Sequence, residues 1–141
     1  MIFDATQEIY DRFESEQLNC VIRETESLSL VEISVVCNST SIQMRFISSS
    51  PTTGVCLRVD RVARFPEEKF DAIVPMLNEL NAEYRYVKFI PEREDHAVDL
   101  LYDFPRCTED NGETAMEMFN RVPSIVDEVY PRLMRKIWGG K

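Results

Sequence analysis

The densest run of side chains able to do chemistry is Glu92, Glu94, Asp95, His96 and Asp99. They are oxygen and nitrogen ligands, and a hard cation could use three or four of them. The run lacks the spaced Asp and Gly of a calcium loop and offers one imidazole, so a solvated acidic turn is the plainer reading. His96 is the only histidine of the chain. It could act as a pH-sensitive group, but no Ser, Thr or Cys lies near it in sequence to be activated as a nucleophile. A second set is positive: Arg58, Arg61 and Arg64, with Arg45 on the preceding strand-like run. Guanidinium groups recognise carboxylates and phosphates. These four are therefore a candidate patch for an anion or an acidic partner, and the competing reading pairs them with the protein's own acids. Asn78 and Asn81, close to a predicted helix end, read most simply as left-handed C-caps.

Cys20, Cys37, Cys56 and Cys107 never form a C-x-x-C pair, which a zinc or thioredoxin-like site would normally show. Three of them fall inside apolar runs, where a thiol behaves as a small hydrophobe. With four glycines there is little material for a phosphate-cradling loop. No catalytic residue, metal site or cofactor is expected, and the chain reads as non-enzymatic.

The balance of charge narrows the partners. Sixteen basic against 25 acidic residues give 141 residues a net charge of −9. Nucleic acid and anionic membrane are disfavoured, because phosphate binding needs a basic footprint. No segment is long and apolar enough for a membrane span. Met1-Ile2-Phe3 runs directly into Asp4 without the pattern of a secretory signal, and the reduced thiols fit the same expectation, a cytoplasmic protein. Apolar residues make up 44% and charged residues 29%, the composition of one folded domain spanning residues 1–141.

The elements that must carry these groups follow from periodicity. Phe3, Ile9, Tyr10 and Phe13 recur at helical spacing, with Asp4 and Gln7 as a capping-box pair and an end near Gln17 to Asn19. Between Cys20 and Phe65 the period is two: Val31, Ile33 and Val35, then Ile42, Met44 and Phe46, then Leu57 and Val59. Such alternation marks half-buried antiparallel strands. The phase slips at Asp60-Arg61, which predicts a bulge or a strand end there. Pro66 opens a helix carrying Phe70, Ile73, Val74, Leu77 and Leu80, with a kink expected at Pro75. A hairpin follows, Tyr84 to Ile90 and Ala97 to Phe104, around a turn at residues 91–95. Asp110 and Glu113 then cap a last helix whose stripe reaches Trp138, with Pro123 and Pro131 expected to bend or segment it and Gly139-Gly140 to end it. Met116, Met118, Met134, Ile137 and Trp138 make it rich in adaptable apolar groups. The order α-ββββ-α-ββ-α argues for a two-layer α+β domain, one antiparallel sheet with helices packed on it.

The block Leu77-Asn78-Glu79-Leu80-Asn81, the strand Tyr86-Val87-Lys88-Phe89-Ile90, the ending Asp103-Phe104-Pro105 and the C-terminal Tyr130-Pro131-Arg132-Leu133-Met134 come in an order that resembles the YbjN-like family. That family is described as bacterial sensory transduction regulators, with a fold similar to that of type III secretion chaperones. Pro75 departs from the family's middle helix. The resemblance implies a bacterial cytoplasmic protein that acts through contacts with other proteins, a chaperone-like or regulatory adaptor without enzymatic activity. The alternative from the residues alone is a small-molecule or anion sensor using the arginine cluster. The family's fold relatives dimerise through the middle helix and the strand after it. In this chain that strand is apolar on both faces, Val87 and Phe89 on one and Tyr84, Tyr86 and Ile90 on the other. A homodimer with Tyr84, Tyr86 and Ile90 near its interface is expected, because a two-fold contact is the commonest way to cover such a face.

Overall fold

The computed structural model describes residues 1–52, 54–105 and 108–139. Cys107 and Gly140, both assigned roles above, lie outside the described residues. Three helices and six strands follow one another as α1 (Asp4–Ser15), β1 (Val21–Glu24), β2 (Ser29–Val36), β3 (Ser41–Ser48), β4 (Cys56–Arg64), α2 (Phe70–Glu83), β5 (Lys88–Glu92), β6 (Ala97–Asp103) and α3 (Asn111–Trp138). The strands form one antiparallel sheet in the order β1-β2-β3-β4-β6-β5. This is the α+β architecture and the element order that the periodicities predict.

Register explains why the helices occupy one face. Ile33, Met44, Val59, Leu100 and Phe89 stand opposite one another across five strands, and Ile22, Val31, Phe46, Leu57 and Tyr102 form the neighbouring row. Ile73, Leu77 and Leu80 of α2, with Val122, Val126, Val129 and Leu133 of α3, close over these rows, and all are buried. Ile9 and Phe13 of α1 complete the layer, Phe13 meeting Phe46 edge-on at 5.5 Å. Residues of the opposite parity read Val21, Glu32, Arg45, Arg58, Leu101 and Lys88 across the sheet. A row so charged leaves that side to solvent.

Several local expectations change. The α1 N-cap is Phe3 and no side chain caps it, so Asp4 is the first helical residue and not a capping group. The Phe3 N–H is taken instead by Ser29 Oγ at 3.0 Å. At the other end Gln17 adopts φ 60. Its N–H reaches the Glu14 carbonyl and the Leu18 N–H reaches that of Phe13, both at 3.0 Å. These two bonds are a Schellman cap. Asp110 caps α3 as expected, accepting from the Glu113 N–H at 2.9 Å. The Glu113 carboxylate does not complete the box, because Arg12 Nη1 of α1 holds it at 2.7 Å. Gly112 lets the two helices approach: a Cβ there would sit 2.9 Å from Arg12 Cβ.

Pro66 precedes a short 3-10 turn, Glu67–Lys69, that leads into α2. Neither Pro75 nor the pair Pro123 and Pro131 divides its helix. Each proline removes one backbone bond, while the stripe of buried residues continues on both sides of it and holds the helix together. The phase slip in β4 is a bulge between Val59 and Ala63, with Arg61 at φ 55. The hairpin strand starts at Lys88 and not at Tyr84, and its turn falls at residues 93–96. Tyr84 is the C-cap of α2 and Tyr86 lies outside the strand at φ 73.

Candidate functional site

The arginine cluster is built by the β3–β4 register. Arg45 and Arg58 are direct cross-strand partners, an arrangement that repels unless an anion joins it. Asp60, two residues on from Arg58 and on the same face, supplies that anion. It binds Arg45 Nη2 through one oxygen and Arg58 Nε at 2.6 Å through the other. Its hydrogen bond holds the Arg58 proton more firmly and raises the guanidinium pKa. Arg58 Nη2 also reaches Asp99 Oδ2 at 2.9 Å, and Asp99 Oδ1 accepts the Arg61 N–H at 2.9 Å. Asp99 is thus a buried plug, 2% exposed, that satisfies the backbone donor freed by the bulge. Arg61 Nη1 stands 3.6 Å from Asp95 in an exposed pair. Arg64 is exposed at the end of β4, and among the described residues no carboxylate pairs with it. The structure therefore joins Arg45 and Arg58 through acids and leaves Arg61 and Arg64 toward solvent.

The acidic turn separates in the same way. Asp99 faces inward to the arginines while Glu92, Glu94 and Asp95 stay at the hairpin tip. His96, at φ 50, lies against the Phe65 ring at 6.5 Å and gives its carbonyl to the Phe65 N–H. Arg93 sits 3.8 Å above the Phe70 ring. Among the described residues no three His, Cys, Asp or Glu side chains gather as a metal site would require. Cys20, Cys37 and Cys56 are free thiols, and burial pushes each pKa up. For Cys56 burial, with the Asp103 carboxylate beside it, takes the value to about 11.

Sequence reasoning missed the role of Asn81. It lies within α2, not at a left-handed cap, and its amide makes two bonds to one residue of β5. Asn81 Oδ1 accepts the Phe89 N–H at 2.6 Å and Asn81 Nδ2 donates to the Phe89 carbonyl at 3.1 Å. Since β5 is an edge strand, these are the backbone groups that point away from the sheet. The next outward position is Pro91, which has no N–H. The edge is closed to strand addition by an asparagine and a proline. An asparagine inside an apolar helix, where its propensity is poor, was the signal available.

Side chains around that edge remain open. Val87 and Phe89 are buried, as their alternation requires, while Tyr86 is 60% and Ile90 38% exposed. Tyr84 is half-buried, edge-on to Phe89 at 6.1 Å. Tyr86 meets Tyr102 edge-on at 6.0 Å. It stands where two depressions adjoin, one of about 540 Å³ toward Arg85 and Arg121 and one of about 430 Å³ toward Ile90 and Leu101. A third, about 650 Å³, continues from Arg85 past Tyr84 to α3. All three expected interface residues therefore border one continuous uneven surface.

This geometry accounts for the short blocks in the sequence. Leu77 and Leu80 are core, Asn81 closes the edge, and Phe104 is buried with its N–H on the Val55 carbonyl. Arg132 forks onto Glu83 at 2.6 and 3.1 Å, tying α3 to the end of α2 and holding the Glu83 carboxyl below its ordinary range. Residues 8–135 match the family model YbjN, "Putative bacterial sensory transduction regulator". The chain belongs to the YbjN family. Its match runs from α1 to the last turns of α3, so the whole sheet lies within it. Neither the curated proteins nor the solved structures give this YbjN-family chain a significant match. No described helix is long and apolar enough to cross a membrane.

Proposed function

We propose that this YbjN-family protein is a non-enzymatic regulatory module of the bacterial cytoplasm that works by binding protein, and that it self-associates through the surface around Tyr86 and Ile90. The observation that carries the reading is Tyr86 itself. A non-glycine residue at φ 73 costs energy, and this one uses the strained backbone to present an aromatic ring, 60% exposed, between two depressions. Large exposed apolar groups that adjoin one another mark interaction surfaces. With the β5 backbone closed by Asn81 and Pro91, contact there is by side chains and not by strand pairing. A second copy brings the same patch in a two-fold arrangement. The arginine cluster supports an anion-sensing role less well, because the charges of Arg45 and Arg58 are already met by the Asp60 and Asp99 carboxylates.

Sedimentation equilibrium at micromolar concentration tests the assembly. A dimer of the 16.4 kDa chain is expected, and a single monomeric species overturns it. Tyr86→Glu should dissociate the dimer by burying an unpaired charge. If that variant stays dimeric, the interface moves elsewhere, with Trp138 at the end of α3 the next surface to change, since it is 63% exposed. Partners that co-purify with the wild type from a host bacterium and are lost with Tyr86→Glu would identify the bound protein.

A further inference from the structure

The last helix carries a charge pattern that its own fold only partly uses. Glu113, Glu117, Arg121, Glu128, Arg132 and Lys136 follow one another along α3 in steps of four, with one longer step, from Arg121 to Glu128, that Ser124 divides. Residues so spaced lie along one side of a helix. Five of the six are exposed and Arg132 is half-buried. Their signs run minus, minus, plus, minus, plus, plus. Taken from the other end with every sign reversed, the row is the same. Its centre is the peptide between Ser124 and Ile125, and each charge lies as far before that point as an opposite charge lies after it.

Contacts within the chain account for part of the row. Glu113 holds Arg12, Glu117 takes Arg121 at 3.3 Å, and Arg132 forks onto Glu83. Glu128 and Lys136 form no ion pair among the described residues. Acids at the start and bases at the end suit the helix dipole, but the inner pair has the reverse order, Arg121 ahead of Glu128. Those two stand about 10 Å apart along the axis, too far to meet each other. A second α3 lying antiparallel across the first answers the whole row. A two-fold axis at the centre sets Arg121 against Glu128, Glu117 against Arg132 and Glu113 against Lys136 of the mate. The groove beside the row, about 650 Å³, is lined by Tyr84, Arg85, Arg121, Ser124 and Glu128 among others, and it adjoins the depression at Tyr86. We propose that a second copy of this chain docks here, its α3 antiparallel to the first in this register. The inference rests on the self-association proposed above and names its geometry. Aromatic burial supplies the affinity, while the charges, each exposed pair contributing little, select the register.

Charge reversal of the inner pair tests it. Arg121→Glu puts a carboxylate at both positions of every chain, and Glu128→Arg puts a guanidinium at both, so like charges meet twice across the axis. Each variant alone should dimerise at least about tenfold more weakly than the wild type in sedimentation equilibrium, because like charges brought together are costly. An equimolar mixture of the two should regain a dimer of near wild-type affinity, since the carboxylates of one chain then face the guanidinium groups of the other. No contact within a single chain produces that rescue. Both variants should melt close to the wild type, as both positions are exposed. A wild-type dimer that Tyr86→Glu dissociates but neither reversal weakens would overturn the helix pairing and leave the Tyr86 surface standing. A mixture as weak as its components would do the same. A monomeric wild type would overturn both readings at once.

Discussion

Gln17 pays for its place at the end of α1. Its bonds and those of Leu18 complete the cap, yet φ 60 disfavours any residue with a Cβ. Gln17→Gly removes roughly 1–2 kcal/mol of strain and returns about 0.5–1 kcal/mol through the freer unfolded chain. A net gain of about 0.5–1 kcal/mol in chemical denaturation is expected, and a loss would mean that the Gln17 side chain contributes more than its backbone costs. Cys56 is governed by burial. With its pKa at about 11, roughly one thiol in a thousand is ionised at pH 8, against about a quarter of an unperturbed one. Alkylation of the folded protein should therefore be slow at pH 8 and quicken about tenfold for each pH unit up to about 11. Mass spectrometry of the labelled peptide measures it, and a rate already flat at pH 9 would place the thiol in a more polar setting.

At the scale of elements, β5 is held as much by α2 as by β6. Asn81 binds both outward groups of Phe89, and Asn81→Ala would take the partner from a part-buried donor and acceptor at a cost of about 1 kcal/mol. Hydrogen exchange should then accelerate at Phe89 and not in β2 or β3, and uniform acceleration would show that the bond is structural for the whole sheet. The sequence carried the periodic part of this architecture well. Alternation placed Val31, Ile33, Met44, Phe46, Leu57, Val59, Val98 and Leu100 on one buried face, because burial acts on every second residue and leaves a repeated mark. The phase slip at Asp60-Arg61 located the bulge for the same reason. Single pairings leave no repeat. That Asp99 turns inward to Arg58 while Asp95 stays outside depends on strand register across 41 positions, and Asn81 finds Phe89 only because α2 packs beside β5. The start of β5 was misplaced because Tyr84 and Tyr86 continue the aromatic alternation after the backbone has left the strand.

The whole molecule divides its charge unevenly between its two sides. One face of the sheet is closed by helices, and the other carries the ladder of Arg23, Glu32, Arg45, Asp60, Arg58 and Asp99, whose charges pair with one another. The excess that makes the chain −9 therefore lies outside that ladder. Two copies repel each other at long range, and a dimer built on Tyr86 and Ile90 has to overcome that repulsion with apolar contact. Salt separates the two contributions. Between about 0.01 and 1 M the screening length falls from about 30 to about 3 Å, so repulsion between copies fades while burial of apolar surface does not weaken. The dimer should accordingly tighten as salt rises, in sedimentation runs at fixed protein concentration. An interface held by Arg85 or Arg121 pairing with acids of the other copy would respond in the opposite sense, because screening weakens attraction as readily as repulsion. Dissociation at high salt would thus keep a dimer but transfer it from the aromatic surface of Tyr86 to the charged end of the same groove.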